Sequence, residues 1–123
     1  MTLRELYTAI DGDYEGVLGR MMNRESMVQK FVLKFLGDAS YDTLLQSMEA
    51  GDYESAFRAA HTIKGVCANL AFNTLLSSSE ALTEALRDGR PPQPGEEELI
   101  ARVNADYDRA YRAIQEFQAG VSE

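Results

Sequence analysis

The stretch AAHTIKGVCANLAF, residues 59–72, decides how this chain is read. Laid on a helical wheel together with the residues before it, Ala56, Ala59, Ala60, Ile63, Val66, Cys67 and Leu70 gather on one side of a helix over 53–70. That side is the expected core face. His61, the single histidine in the chain, falls well away from it. Lys64 and Gly65 follow at the i+3 and i+4 spacings, one turn on and beside the ring. Ala68 lies a turn further and Phe57 a turn earlier. A glycine inside a helix costs about 1 kcal/mol relative to alanine, and such a residue usually has a packing or functional reason. Close approach to the His61 ring is one such reason. Neutral imidazole offers a free nucleophilic nitrogen near physiological pH. It can take a phosphoryl group, whose negative charge Lys64 would offset. A surface histidine without a role has the same spacing, so spacing alone leaves both readings open.

Helical periodicity extends outward from this stretch in both directions, with no sustained strand-like alternation. Thr2 and Glu5 have capping-box spacing and open a short helix through Leu3, Leu6 and Ile10, which DGD at 11–13 interrupts. A second short helix carries Tyr14, Val17, Leu18 and Met21 on one face. Asn23 is the expected N-cap of a long helix over 24–49 with Met27, Val28, Phe31, Phe35, Leu44, Leu45 and Met48 as its apolar positions. Gly37 and Ser40 weaken that helix at LGDAS, where propensity leaves a kink or break open. Gly51 and Asp52 pair as C-cap and N-cap into the His61 helix. Asn73 is the expected cap of a helix burying Leu75, Leu76, Leu82 and Leu86. DGRPPQPG at 88–95 is a loop. A last helix begins at Glu96, Glu97 and Glu98 and carries a stripe from Leu99 to Phe117.

The expected fold is all-α: an antiparallel four-helix bundle over 23–119, with one or two short capping helices in 1–22, as a single domain over 1–123. Apolar residues make up 45% of the chain and charged residues 26%, the balance of an ordinary globular protein. The net charge of -8 disfavours nucleic acid and anionic membrane surfaces as partners. No signal peptide or membrane span is visible, and a lone cysteine, Cys67, suits the reducing cytoplasm. Cys67 on the core face reads as a small buried hydrophobe, Met21, Met22, Met27 and Met48 as core filler, and the six tyrosines as core or boundary residues.

HTIKGVCANLA resembles the signature of the histidine-containing phosphotransfer (HPt) domain family, with His61, Lys64, Gly65 and Asn69 at matching positions. Ala71 stands where the family usually has a second glycine, which bears on the turn there more than on the chemistry. GDYEGVLGRMMNRESMVQKFVLKFLGD is similar to the family's N-terminal segment, and MEAGDYESAFRAAHTIKG to its hairpin into the phosphohistidine helix. The resemblance implies a carrier without kinase activity of its own. His61 would accept a phosphoryl group from the aspartate of one receiver domain and pass it to another. Lys64 would stabilise phosphate charge and Gly65 would keep the approach open, with Glu54, Phe57, Arg58 and Ala68 around them as docking residues. The partners implied are receiver domains of response regulators or hybrid kinases. The carrier would act as a monomer with no cofactor, the divalent metal residing on the receiver. The resemblance also implies a long helix continuous through LGDAS.

Three rival readings differ in testable ways. A histidine-kinase dimerisation region would follow its histidine with an acidic residue and a nearby proline, where this chain has Thr62 and no proline. A di-iron bundle needs Glu-x-x-His pairs, and position 58 is arginine. A phosphorylation-independent helical adaptor binding receivers or other signalling proteins is the alternative that a transfer assay separates.

Overall fold

The structure is a computed structural model that describes residues 1–121, so the last two residues of the expected domain lie outside the described ones. Its elements are helical throughout: α1 (Leu3–Ala9), α2 (Tyr14–Arg20), α3 (Glu25–Lys34), α4 (Ser40–Ala50), α5 (Tyr53–Leu70), α6 (Asn73–Ala85) and α7 (Glu98–Val121). Short 3-10 turns lie at Phe35–Gly37 and Arg87–Gly89. The capping box forms as read: the Glu5 N–H donates to Thr2 Oγ1 at 3.0 Å, and the Thr2 N–H to Glu5 Oε1 at 2.8 Å. Asp13 caps α2 by accepting from the Gly16 N–H at 2.9 Å. No helix of the described residues is long and apolar enough to cross a membrane.

The long helix expected over 24–49 is two helices, which overturns the continuity implied by the family resemblance. The break falls at LGDAS, where α3 ends in a 3-10 turn and Asp38 turns extended at φ -74°, ψ 128°. Asp38 Oδ1 accepts the Ser40 N–H at 2.7 Å. That local bond gives the backbone an alternative to the helical ladder, next to a glycine that does little to hold it.

Four further expectations are corrected. Asn23 is not an N-cap. It and Met22 adopt left-handed φ values of 59° and 58°, and the Asn23 N–H closes a turn on Leu18 O at 2.8 Å. Asparagine tolerates that region, so it serves the exit from α2 rather than the start of α3. The same turn throws Met22 outward, 76% exposed, instead of into the core. Asn73 is the first residue of α6, and the cap position is held by buried Phe72 without a side-chain bond. Glu96 and Glu97 precede α7 and accept the Gln93 and Gly95 N–H groups, each at 2.8 Å, so they close the proline loop rather than begin the helix.

α5 sits between α4 and α6, and α6 in turn packs on α7. Gly51 at φ 71° and Asp52, accepting the Ser55 N–H at 3.2 Å, make the α4–α5 turn as expected. Ala56, Ala59, Ala60, Ile63, Cys67 and Leu70 are buried along α5, while Val66 is half-buried. On α6, buried Ser78, Ser79 and Thr83 return their hydroxyls to carbonyls of Leu75, Leu76 and Ser79 at 3.3, 3.1 and 2.7 Å. These polar residues therefore enter the interior without leaving a donor unmatched.

The far end of α5 is tied to the N-terminal helices. Ala71 adopts the left-handed conformation, φ 58°, ψ 40°, so the turn is made without the glycine usual in the resembled family. Its carbonyl accepts the Asp13 N–H at 2.9 Å, and the buried Tyr7 hydroxyl donates to Leu70 O at 2.8 Å. Rings of Tyr7, Phe72, Phe35 and Tyr107 run in series, with successive centroids 5.5, 5.5 and 5.2 Å apart, joining α1 to α7 through the core.

Candidate functional site

His61 stands at the middle of α5 on its solvent side, and the residue is exposed. The ring of Phe57, one turn earlier and half-buried, lies nearly parallel to it at 12°, centroids 6.1 Å apart. That offset arrangement is within the range of favourable ring pairs and covers one side of the imidazole. The other side faces the next turn, where Lys64 and Gly65 lie.

Lys64 is half-buried and makes no hydrogen bond or ion pair with any described residue. Its charge reaches Glu84 on α6, whose carboxyl is held below its ordinary range, chiefly by the hydrogen bond from Arg87 and to a lesser extent by Lys64. An ammonium whose donors are not engaged within the chain can serve an incoming anion. Gly65 is exposed, and a Cβ built on it would meet no heavy atom within 4 Å. No neighbour in the fold requires glycine there. The space beside the ring is open.

The four residues expected around the ring divide in two. Glu54 and Arg58 pair with each other at 3.1 Å, exposed on the first half of α5, and Arg58 also reaches Ser55 Oγ at 3.4 Å. With Phe57 they line a shallow depression whose opposite wall is Arg87, Asp88 and Gly89 of the 3-10 turn. Ala68 is exposed at the other end. Its carbonyl, with that of Asn69 at 2.9 Å, accepts from the Arg20 guanidinium. A cation on these last-turn carbonyls suits the negative end of α5.

Sequence reasoning did not bring Arg20 or the Arg87–Gly89 turn to α5. Both come from distant parts of the chain. The Asp88–Gly89 pair could have signalled a left-handed turn, which it makes at φ 63° and 74°, but not the helix it rests on. Cys67 lies under the site on the core side, and burial pushes its thiol up to about 12, so it stays a protonated thiol at neutral pH. Among the described residues no three histidine, cysteine or acidic side chains are grouped to hold a metal ion.

What this arrangement can do follows from its parts. It offers one nucleophilic nitrogen on an open helix face, one unengaged ammonium a turn away, and no cleft that would enclose a small substrate. Such a site suits a group delivered by another macromolecule. In comparisons with known proteins, a family model described as "Hpt domain" matches residues 34–113, from the end of α3 to the later turns of α7 and across the whole of α5. No curated protein and no solved structure matches the chain.

Proposed function

The chain belongs to the Hpt domain family, whose members transfer phosphoryl groups through histidine in phosphorelays and work with receiver domains, and we propose on that premise that the group rides on His61. The observation that supports this most strongly is the site itself: the chain's single histidine is exposed beside an unengaged Lys64 and an open Gly65.

The step is a substitution at phosphorus. A receiver presents an aspartyl phosphate. The lone pair of a neutral His61 nitrogen attacks phosphorus, the bond from phosphorus to the aspartate oxygen breaks, and the carboxylate leaves with the bonding pair. The other ring nitrogen keeps its hydrogen. Lys64 faces the phosphoryl oxygens and offsets their charge through both directions of transfer. Gly65 lets the receiver's aspartate reach bonding range, and Phe57 fixes the plane of the imidazole.

Glu54, Phe57, Arg58 and Ala68 form the rim that a receiver covers. The divalent metal belongs to the receiver, and the carrier itself uses no cofactor and has no kinase activity. In this reading α3 and α4 together form one broken member of a four-helix bundle with α5, α6 and α7. The carrier works as a monomer in the cytoplasm.

The test is transfer from a phosphorylated receiver to the purified chain, followed by return to a second, unlabelled receiver. Label that passes through the chain supports the carrier. Stable binding of receivers with no uptake of label supports the phosphorylation-independent adaptor instead.

A further inference from the structure

A groove separate from His61 opens where α3 breaks into α4. Leu36, Asp38, Tyr41 and Asp42 form one side of it, and Tyr107, Asp108 and Tyr111 of α7 form the other, around a volume of about 290 Å³. That is the small end of ligand sites, enough for one compact head group rather than an extended molecule. Its walls combine aromatic rings with carboxylates. Tyr41 stacks on Tyr107 with centroids 3.9 Å apart and 13° between planes, and Tyr111 continues the series 5.9 Å beyond.

The charges at the groove do not cancel within the chain. Asp108 is paired with Arg112 at 3.1 Å, and Asp38 accepts from the Ser40 N–H, but Asp42 has no ion pair or hydrogen bond with any described residue. Three carboxylates thus meet a single guanidinium.

A second observation is independent of the acids. Tyr107 is buried to 9% exposure, yet its hydroxyl makes no hydrogen bond with any described residue, unlike the Tyr41 hydroxyl, which donates to Asn104 Oδ1 at 2.6 Å. No fully buried side-chain oxygen or nitrogen of the described residues lacks a partner. The Tyr107 hydroxyl is therefore not sealed from solvent, and Tyr107 is one of the residues that line this groove. Burial, then Asp38 and further groove residues, push that phenol up to about 12, so it stays protonated beside the acids.

We propose that the groove between the α3–α4 break and α7 binds the head group of an organic cation, a guanidinium or an alkylammonium. Tyrosine rings attract such a cation through their quadrupoles, and the groove's carboxylates add charge attraction. Asp42 supplies the uncompensated negative charge. The Tyr107 hydroxyl oxygen accepts an N–H from a guanidinium, which a quaternary ammonium cannot offer. The head group can come from an arginine side chain of another protein or from a free quaternary amine, and these sources are separable.

The experiment is a titration of the isotope-labelled full chain by two-dimensional amide NMR. Three probes are compared at matched ionic strength: N-acetylarginine amide for the side chain, tetramethylammonium chloride for the free amine, and sodium chloride. The proposal predicts saturable shifts at Tyr41, Asp42, Tyr107 and Tyr111 with one or both organic cations and not with sodium. The tighter organic probe identifies the source. Asp42→Asn should weaken binding roughly tenfold, and Tyr41→Leu by a similar factor. Tyr107→Phe keeps the ring and the core, and should weaken the arginine probe while sparing tetramethylammonium. Should Tyr41→Leu disturb the fold, visible as shifts spread through α5 before any ligand is added, the exposed Asp42→Asn change carries the test. Shifts equal to those from sodium, or organic-cation binding that Asp42→Asn and Tyr107→Phe both leave unchanged, would overturn the assignment.

Discussion

The rings of Phe57 and His61 lie one helical turn apart and 12° from parallel, their centroids separated by 6.1 Å. The relationship is built by i,i+4 spacing on a single helix, so it does not depend on any other part of the fold. It leaves the imidazole open on the side where Lys64 and Gly65 follow. Phe57→Ala should therefore slow phosphoryl transfer several-fold, about three- to tenfold, by letting the ring wander from its attacking geometry. The cost in stability should be about 1 kcal/mol, since the side chain is only half-buried. Rates measured beside thermal melts check this, and unchanged transfer would reduce Phe57 to a packing residue.

Lys64 makes no ion pair among the described residues, so its removal should be felt in the chemistry rather than in the fold. Lys64→Ala should reduce transfer by roughly tenfold or more and change stability by no more than about 0.5 kcal/mol. Lys64→Arg should recover part of the rate because the charge returns. Full activity of Lys64→Ala in both directions would take the residue out of the mechanism.

Two glycines should respond oppositely to the same substitution. A Cβ at Gly65 meets nothing within 4 Å, whereas a Cβ at Gly12 would sit 2.6 Å from the Tyr7 ring and 3.0 Å from Ala71 O. Gly65→Ala should hold or raise stability, by up to about 1 kcal/mol, as alanine is the better helix former. Gly12→Ala should lower it by about 1–3 kcal/mol, because the buried Tyr7 ring has little room to retreat. Gly65→Gln should keep the helical circular dichroism while slowing transfer. A Gly65→Gln variant as fast as wild type contradicts the access role.

Alkali should destabilise the domain in a defined order. Burial raises the Cys67 thiol from 9.0 to about 12, and it raises the Tyr107 phenol from 10.0 to about 12. Burial also carries Tyr7 far above its ordinary range. Each group holds its proton more tightly when folded, so its stabilising contribution is complete below the unfolded value and is lost as pH rises through the folded one. Chemical denaturation should show stability falling from about pH 9 upward, with the thiol acting first. Cys67→Ala should blunt the earliest part of that decline. A flat profile between pH 8 and 11 would contradict the burial of these groups.

Much of the site was legible because it is local. The i+3 and i+4 spacings put His61, Lys64 and Gly65 on one face, and the alanines opposite them fixed the inward side of α5. Gly51–Asp52 and Thr2–Glu5 were legible for the same reason, since caps are written within a few residues. What escaped was tertiary or competitive. Arg20 reaches the α5 carbonyls from 48 residues away, and nothing near it in sequence names that target. Ser78, Ser79 and Thr83 carry no apolar signal in the sequence, yet bonding to their own helix's carbonyls lets them be buried. At LGDAS propensity pointed to a possible break and the family resemblance to continuity. The Asp38–Ser40 bond decided for the break. Asn23 and Asn73 show the limit of reading caps from residue type: Asn23 serves a left-handed turn, and Asn73 lies one residue inside the helix that Phe72 caps.

The central claim is that one imidazole carries the phosphoryl group, and the most direct measurement is the site of the label itself. The chain is incubated with a phosphorylated receiver and observed by imidazole-resolved nitrogen and phosphorus NMR, alongside a His61→Gln variant. The account predicts one phosphorus–nitrogen coupled signal assigned to His61, labile to acid and stable to base, and absent from the variant. Label on the variant with the same acid lability, or label on wild type that resists acid and leaves the His61 ring signals unmoved, would contradict it.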